Sequence, residues 1–176
     1  MITIGWFIAV GALAIAAGNA QDASQRKNNK LQIVREGSFE LNTTAEKALP
    51  FFTPEGERAW AEGWDPKPIY PAQKDVAFET NAVFRLGHGE HESIWTILKA
   101  DPEKHVAEYV YVVLGERVSR VRVVVEPLAA NRCRVRVRYV HTALSEGGMQ
   151  VISAMTEEAY AQKMLDWQRM VGALIR

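Results

Sequence analysis

The feature that most constrains the fold is a ten-residue alternation that runs from Arg132 to His141. One parity of this segment is basic and consists of Arg132, Arg134, Arg136 and Arg138. The other parity consists of Cys133, Val135, Val137, Tyr139 and His141. Because successive side chains of a strand point to opposite faces, the alternation predicts a β-strand with one face in water and one in the core. His141 is therefore expected on the buried face.

Shorter patterns of the same kind precede this segment and extend the prediction to a sheet. They place strands at 33–41, 78–86, 94–99, 106–114 and 120–125. No helical pattern separates the strands after residue 78, so we expect an antiparallel meander. Gly37, in the first strand, is expected to form a bulge. Arg117 and Arg122 extend the basic parity into a charged outer face. Acids such as Glu116 and Glu126 oppose this face, which discourages pairing at the sheet edge.

Two short helices are predicted directly after the first strand. The segment Thr43-Thr-Ala-Glu46 matches a capping box, in which the Thr43 hydroxyl and the Glu46 carboxylate bind free amides at a helix start. Pro50 ends that helix. Thr53 is followed by Pro and Glu, which is typical of a new helix start, and Gly63 closes the second helix. The prolines that predict irregular chain or a sheet edge beyond it are Pro66, Pro68 and Pro71.

The end of the chain predicts one long amphipathic helix. Ser145 is its expected N-cap, and apolar residues recur at steps of three and four from Met149 to Arg176. At 1.5 Å per residue this helix is roughly 42 Å long. It needs a long apolar surface to lie on, and the curved sheet is the expected partner. The fold class is therefore α+β, with a curved antiparallel sheet wrapped on a C-terminal helix.

The first 20 residues predict a signal peptide. They carry no charged side chain, and their apolar run, 4–17, is too short to cross a hydrocarbon core of ~30 Å as a helix. Gly18 and Ala20 place small residues at the −3 and −1 positions of a cleavage site. Cleavage there implies export to the periplasm and no stable membrane insertion afterwards.

The basic residues that follow leave a second interpretation open. Arg26, Lys27 and Lys30 resist translocation by the positive-inside rule, which favours an uncleaved anchor or a cytoplasmic chain. Residues 21–30 are polar and without periodicity, so they are expected to form a linker. Residues 31–176 are expected to form a single ligand-binding domain.

Several short motifs resemble the SRPBCC superfamily of bacterial START-like proteins. They are Thr53-Pro-Glu-Gly-Glu-Arg-Ala-Trp60, Gly63-Trp-Asp-Pro66, Ser93-Ile-Trp-Thr96, Asp101-Pro102, Glu108-Tyr-Val110 and Thr142-Ala-Leu-Ser145. This superfamily is related to polyketide cyclases, to the Bet v 1-like pollen-allergen fold and to START lipid-transfer domains. The resemblance implies a helix-grip fold with a hydrophobic cavity between the sheet and the long helix. It implies no single ligand, because members share a cavity and few share a reaction.

The cavity implied by the resemblance directs attention to large aromatic and flexible side chains. The candidate cavity residues are Trp60, Trp64, Phe84, Trp95, Tyr111, Tyr139, His141, Met149 and Met155. Aromatic rings suit a planar or lipid ligand, and thioethers suit a surface that accepts varied apolar groups. Each of these residues also has an ordinary interpretation as core packing. The expected function is binding or transport of a small hydrophobic or amphipathic molecule, lipid-like or polyketide-like, without a cofactor.

Two other functions remain open. One is a cyclase or dehydratase in which His141 acts as base and Tyr111 or Tyr139 as donor, since neutral imidazole can accept a proton near neutral pH. The other is an interaction module similar to a chaperone cofactor, which predicts an exposed apolar patch and a filled interior. A His141 satisfied by core neighbours would disfavour the enzyme.

Charge and metal-ligand patterns exclude several classes of protein. Lys and Arg equal Asp and Glu at 21 each, so no net positive charge attracts nucleic acid. The single cysteine, Cys133, excludes disulfides within the chain and zinc sites built on several thiolates, and its buried parity predicts an unreactive thiol. His88 and His91 supply only part of a metal coordination shell, so we expect a solvated turn and no metal site.

Overall fold

The computed structural model describes residues 31–175 except 73 and 88–91. The predicted signal peptide and linker lie outside the described residues, and so does the turn that contains His88 and His91.

Seven antiparallel strands form one curved sheet. They are β1 (Gln32–Leu41), β2 (Lys67–Tyr70), β3 (Val83–Leu86), β4 (Ser93–Asp101), β5 (Val106–Val113), β6 (Arg117–Ala129) and β7 (Arg132–Ala143). The spatial order is β1-β7-β6-β5-β4-β3-β2. Strands β2 to β7 therefore follow one another as the expected meander, and β1 pairs with β7. The short strand β2 carries Pro68 at the sheet edge, as the prolines predicted.

Helices are few and cover one face of the sheet. The α-helices are α1 (Ala45–Ala48), α2 (Glu146–Ser153) and α3 (Glu157–Leu174), and two 3₁₀ helices lie at Leu49–Phe52 and Gly56–Ala59. This architecture confirms the α+β helix-grip prediction. None of the helices in the described part of the chain is long and apolar enough to cross a membrane.

The alternation in β7 sorts side chains as the sequence predicted. Val135 and Val137 are fully buried, while the arginines of the same strand point outward and pair with acids of neighbouring strands. These outer pairs are Arg134–Glu40, Arg136–Glu126 and Arg138–Glu36. Exposed ion pairs contribute at most about 1 kcal/mol each, so the buried valines stabilise the sheet more than its charged face does.

The prediction of one long C-terminal helix is wrong, because this segment forms two helices, α2 and α3. Ser145 caps α2 as predicted, its hydroxyl accepting from the Gly148 amide at 3.0 Å. Helix α2 ends at Ser153, and Ala154 is its C-cap. The next helix, α3, begins after Thr156, whose hydroxyl accepts a hydrogen bond from the Ala159 amide at 3.2 Å. Thr156 followed by Glu157 and Glu158 is typical of a helix start, but the apolar spacing continues across these residues and favoured one helix.

Three smaller predictions also need correction. The cap of α1 is Thr44 rather than Thr43, since the Thr44 hydroxyl accepts from the Lys47 amide. The second short helix is only the 3₁₀ turn Gly56–Ala59. The strand predicted at 78–86 is limited to Val83–Leu86, because Asn81 adopts a left-handed backbone with a φ of 73°.

Gly37 forms no bulge and serves helix packing instead. It pairs with Val137 in an uninterrupted β1–β7 register. A Cβ at this position would lie 2.7 Å from Met164 Cγ and 3.2 Å from Tyr160 Cε1. The absence of a side chain therefore lets α3 approach β1 closely.

A neighbouring pair of glycines in α2 gives a test of close packing. A Cβ on Gly148 would lie 1.9 Å from the backbone oxygen of Glu116, whereas the nearest atom to a Cβ on Gly147 is Ser145 Oγ at 3.8 Å. We expect Gly148→Ala to lower the free energy of unfolding by about 1–3 kcal/mol, because α2 must move away from the sheet.

Gly147→Ala is the matched control. It is expected to raise the free energy of unfolding by up to about 1 kcal/mol, since alanine is the better helix former. Urea unfolding of both variants measures the difference. Equal changes in the free energy of unfolding of the two variants would contradict the close packing of Gly148 against the Glu116 backbone.

Candidate ligand cavity

A cavity of about 480 Å³ lies between the inner face of the sheet, the second 3₁₀ turn and α3. Eight of the nine sequence candidates line it: Trp60, Trp64, Phe84, Trp95, Tyr111, Tyr139, His141 and Met155. Met149 does not line it, because α2 turns this side chain toward a separate small cluster with Ile33, Ala143 and Ile152. Met155, between α2 and α3, packs against the same cluster but also reaches the cavity.

The wall on the β3–β5 side is a continuous aromatic stack. Trp95 lies parallel to Tyr111, with ring centroids 4.1 Å apart, and to Phe84 at 5.7 Å. Trp64 packs edge-on against Trp95 at 5.4 Å. Such rings bury large apolar areas in fixed orientations, so this wall is a rigid surface for a planar or apolar molecule.

The opposite wall is built by α3. Trp167 packs edge-on against Trp60 at 5.1 Å, and the Tyr160 hydroxyl donates to the Val137 carbonyl oxygen at 3.0 Å. On the sheet side, the Tyr109 hydroxyl donates to the Phe52 carbonyl oxygen at 2.7 Å. These bonds hold Tyr109 and Tyr160 in place, and burial raises the pKa of both phenols.

Two tyrosine hydroxyls remain available to a ligand. Within the described residues, the hydroxyls of Tyr111 and Tyr139 form no hydrogen bond to the protein, and both side chains line the cavity. Phenol groups in this position can orient an otherwise apolar molecule.

His141 lies at the buried position that strand parity predicted. Its Nδ1 is 2.8 Å from the Ser119 hydroxyl oxygen, and its ring stacks on Tyr139 with centroids 5.2 Å apart. Burial lowers the pKa of His141 to about 4, and the positive charges of Arg117, Lys163 and Arg35 contribute to the shift. The imidazole is therefore neutral at pH 7 and is a weak base.

A carboxyl group and an amine also face the cavity. Burial raises the pKa of the partly buried Glu57 to about 8, an effect that the charge of Lys163 opposes. Burial lowers the pKa of Lys163, although the residue as a whole keeps an exposed surface. Lys163 Nζ lies 4.8 Å from the ring centroid of Tyr139 and 5.0 Å from that of Trp167. Both distances are within the range of cation–π attraction.

Sequence reasoning did not single out several residues that line the cavity. They are Arg35, Glu57, Arg117, Tyr160, Lys163 and Trp167. A signal existed for Arg117, which shares strand parity with the buried Ser119 and Val121 and therefore lies inside, not on the outer face where it was expected. Lys163 lies one helical turn before Trp167, on the same side of α3. Glu57 lies on a 3₁₀ turn and offered no periodic signal.

Cys133 is a free cysteine and is buried, as its strand parity predicted. Burial raises the pKa of the Cys133 thiol, which agrees with the predicted lack of reactivity. Over the ranges 31–72, 74–87 and 92–175, the structure brings together no group of three residues able to hold a metal ion.

Comparison with known proteins identifies the fold. No protein-family model and no curated protein matches the sequence. Among solved structures, norcoclaurine synthase from Thalictrum flavum is similar over 99% of this chain and 97% of its own, with a TM-score of 0.59 and 10% identity. A hypothetical protein from Helicobacter pylori is similar over 82% and 88% of the two chains, with a TM-score of 0.62 and 10% identity.

A third similar structure is a protein with two domains. The di-domain ARO/CYC protein BexL, from the BE-7585A biosynthetic pathway, matches 79% of this chain and 46% of its own, with a TM-score of 0.58 and 13% identity. Identities this low carry the fold and not the function. The chain therefore has the same helix-grip fold as norcoclaurine synthase and the other two similar structures.

Proposed function

We propose that this protein binds a small, mostly apolar molecule in the cavity beneath α3. The observation that carries the proposal is an open volume of about 480 Å³ walled by stacked aromatic rings. Ligand sites are typically clefts of roughly 300–1,000 Å³ with apolar walls and few polar groups. The similar solved structures include one of norcoclaurine synthase in complex with dopamine and hydroxybenzaldehyde, which supports a small aromatic ligand.

The cavity disfavours the interaction-module interpretation, which required a filled interior. It also gives affinity a physical source. Burial of apolar ligand surface contributes about 25 cal/mol per Å², and the preformed aromatic wall loses little side-chain freedom when a ligand enters. The free hydroxyls of Tyr111 and Tyr139 then select an orientation.

An enzyme that transfers protons in this cavity is the second candidate, and Glu57 favours it. A carboxyl group with a pKa of about 8 can both release and accept a proton near neutral pH, whereas His141, with a pKa of about 4, accepts one poorly. If a reaction occurs, Glu57 therefore replaces His141 as the proposed base. Tyr139 lines the same cavity and is the proposed hydrogen-bond donor.

Ligand binding is tested with N-phenyl-1-naphthylamine, a neutral fluorescent probe. Four tryptophans line the cavity, so the bound probe is expected to quench tryptophan emission by energy transfer. Ala159→Trp places a large ring in the cavity from α3 and is expected to weaken binding by roughly tenfold or more, because the packed interior cannot expand.

The control for this test is Ala161→Trp, on the same helix but outside the cavity lining. It is expected to bind the probe as the wild type does. Absence of probe binding, or equal loss in the two variants, would overturn the proposed function.

The ionisation of Glu57 is tested by the pH dependence of stability. Between its ordinary pKa of 4.5 and about 8, the folded state holds a proton that the unfolded state has released. Glu57 therefore makes the free energy of unfolding fall as pH rises through this window. Glu57→Gln is expected to remove that contribution, so the variant gains stability relative to the wild type from pH 6.5 to pH 9.

Measurement above pH 6.5 avoids the opposite contribution of His141, whose lowered pKa costs stability only as pH falls from 6.5 toward 4. Glu62→Gln, at an exposed position, is the control and is expected to leave the pH profile unchanged. Parallel profiles for Glu57→Gln and wild type in urea unfolding would show that Glu57 ionises normally.

A further inference from the structure

Three cationic side chains from three different elements line the same cavity. Arg35 comes from β1, Arg117 from the start of β6, and Lys163 from α3. We call them the cationic cluster. All three share the lining of this cavity with His141, and the positive charge of each helps to lower the pKa of that imidazole.

Contacts with neighbouring protein groups hold Arg35 and Arg117 in place. Arg35 Nε donates to the Met155 carbonyl oxygen at 2.6 Å, and its Nη1 donates to the Val34 carbonyl oxygen at 2.8 Å. Arg117 Nη1 contacts the carboxylate of Glu116, and its guanidinium carbon lies 5.5 Å from the centroid of the Tyr111 ring. Within the described residues, Arg117 Nε and the Glu116 Oε1 atom that Nη1 contacts are both buried without a hydrogen-bond partner.

Nearby acids neutralise only part of the cluster. Glu57 is the one carboxyl group among the described residues that line the cavity, and its pKa of about 8 leaves it mostly protonated at pH 7. Glu116 pairs with Arg117, and the exposed Glu158 lies outside the cavity lining, on the Arg35 side. An excess of positive charge therefore remains on an aromatic cavity.

We propose that the ligand is an amphipathic anion, with an aromatic or apolar body against Trp95 and an acidic group held by Arg35, Arg117 and Lys163. This inference rests on the proposed function and specifies its ligand class. The oxygens of a carboxylate or sulfonate accept hydrogen bonds from guanidinium and ammonium groups, which these three cavity-lining residues supply, and the low dielectric of the cavity strengthens each charged contact. An anion also removes the mutual repulsion of the three cations.

Two fluorescent probes that share one ring skeleton separate the ligand class from ligand binding itself. N-phenyl-1-naphthylamine is neutral, and 1-anilinonaphthalene-8-sulfonate adds a single anionic group to the same rings. The wild type is expected to bind the sulfonate more tightly by roughly tenfold, equivalent to about 1.4 kcal/mol, since hydrogen bonds to a charged group are stronger than those to a neutral one.

The variants Arg117→Met and Lys163→Met test the cluster directly. Each is expected to weaken binding of the sulfonate by roughly tenfold and to change binding of the neutral probe by less than about twofold, because methionine keeps apolar bulk without charge. Arg138→Met is the charge-matched control, since Arg138 lies on the outer face of β7 and pairs with Glu36. It is expected to leave both affinities unchanged.

The outcomes separate the anionic ligand class from ligand binding itself. Preference for the sulfonate that is lost only in the cluster variants supports an anionic ligand. Equal affinities for the two probes, equal losses in Arg117→Met and Arg138→Met, or sulfonate binding that survives Ala159→Trp would overturn this inference. In those cases binding of the neutral probe keeps the proposed function. Failure of both probes to bind would overturn the proposed function itself.

Discussion

The close approach of α3 to β1 is the constraint on which the cavity depends. Gly37 removes the side chain that would keep the helix away, and Met164 and Tyr160 pack into the space it leaves. The Gln168 amide adds a bond to the Glu40 carbonyl oxygen at 3.1 Å, again on β1. Because the helix is fixed to the β1–β7 side, it cannot also cover the centre of the sheet. The residues of β4, β5 and β6 that face inward are left to line an open space.

The contents of that space follow from ordinary packing at its two sides. Large stacked rings make one wall rigid, and β1, β6 and α3 each contribute a basic side chain to the lining. A purely structural core would place aliphatic groups at these positions, since buried charge is costly when it is unpaired. This combination of stacked aromatic rings and basic side chains on one cavity is the basis of the proposed amphipathic anionic ligand.

Periodicity predicted the parts of this architecture that it can encode. Strand alternation gave β7, its buried His141 and its arginine face, and the motifs gave the helix-grip topology. The helix break at Thr156 was not predicted, because the apolar spacing continues across it. The role of Gly37 was not predicted either, because a glycine in a strand gives no information about which element packs against it. Glu57 and Lys163 were missed for a related reason. Polar residues at a cavity wall look like surface residues in the sequence, and only the fold shows that they face an interior space.

An open space beneath α3 that accepts a ligand can be seen directly in a crystal structure of the protein soaked with N-phenyl-1-naphthylamine. We expect electron density for the fused rings beside Trp95 and beneath Trp167, with the course of α3 unchanged. An interior closed by inward movement of Trp60, Trp95 and Trp167, with the probe absent or bound only at the outer surface, would contradict it.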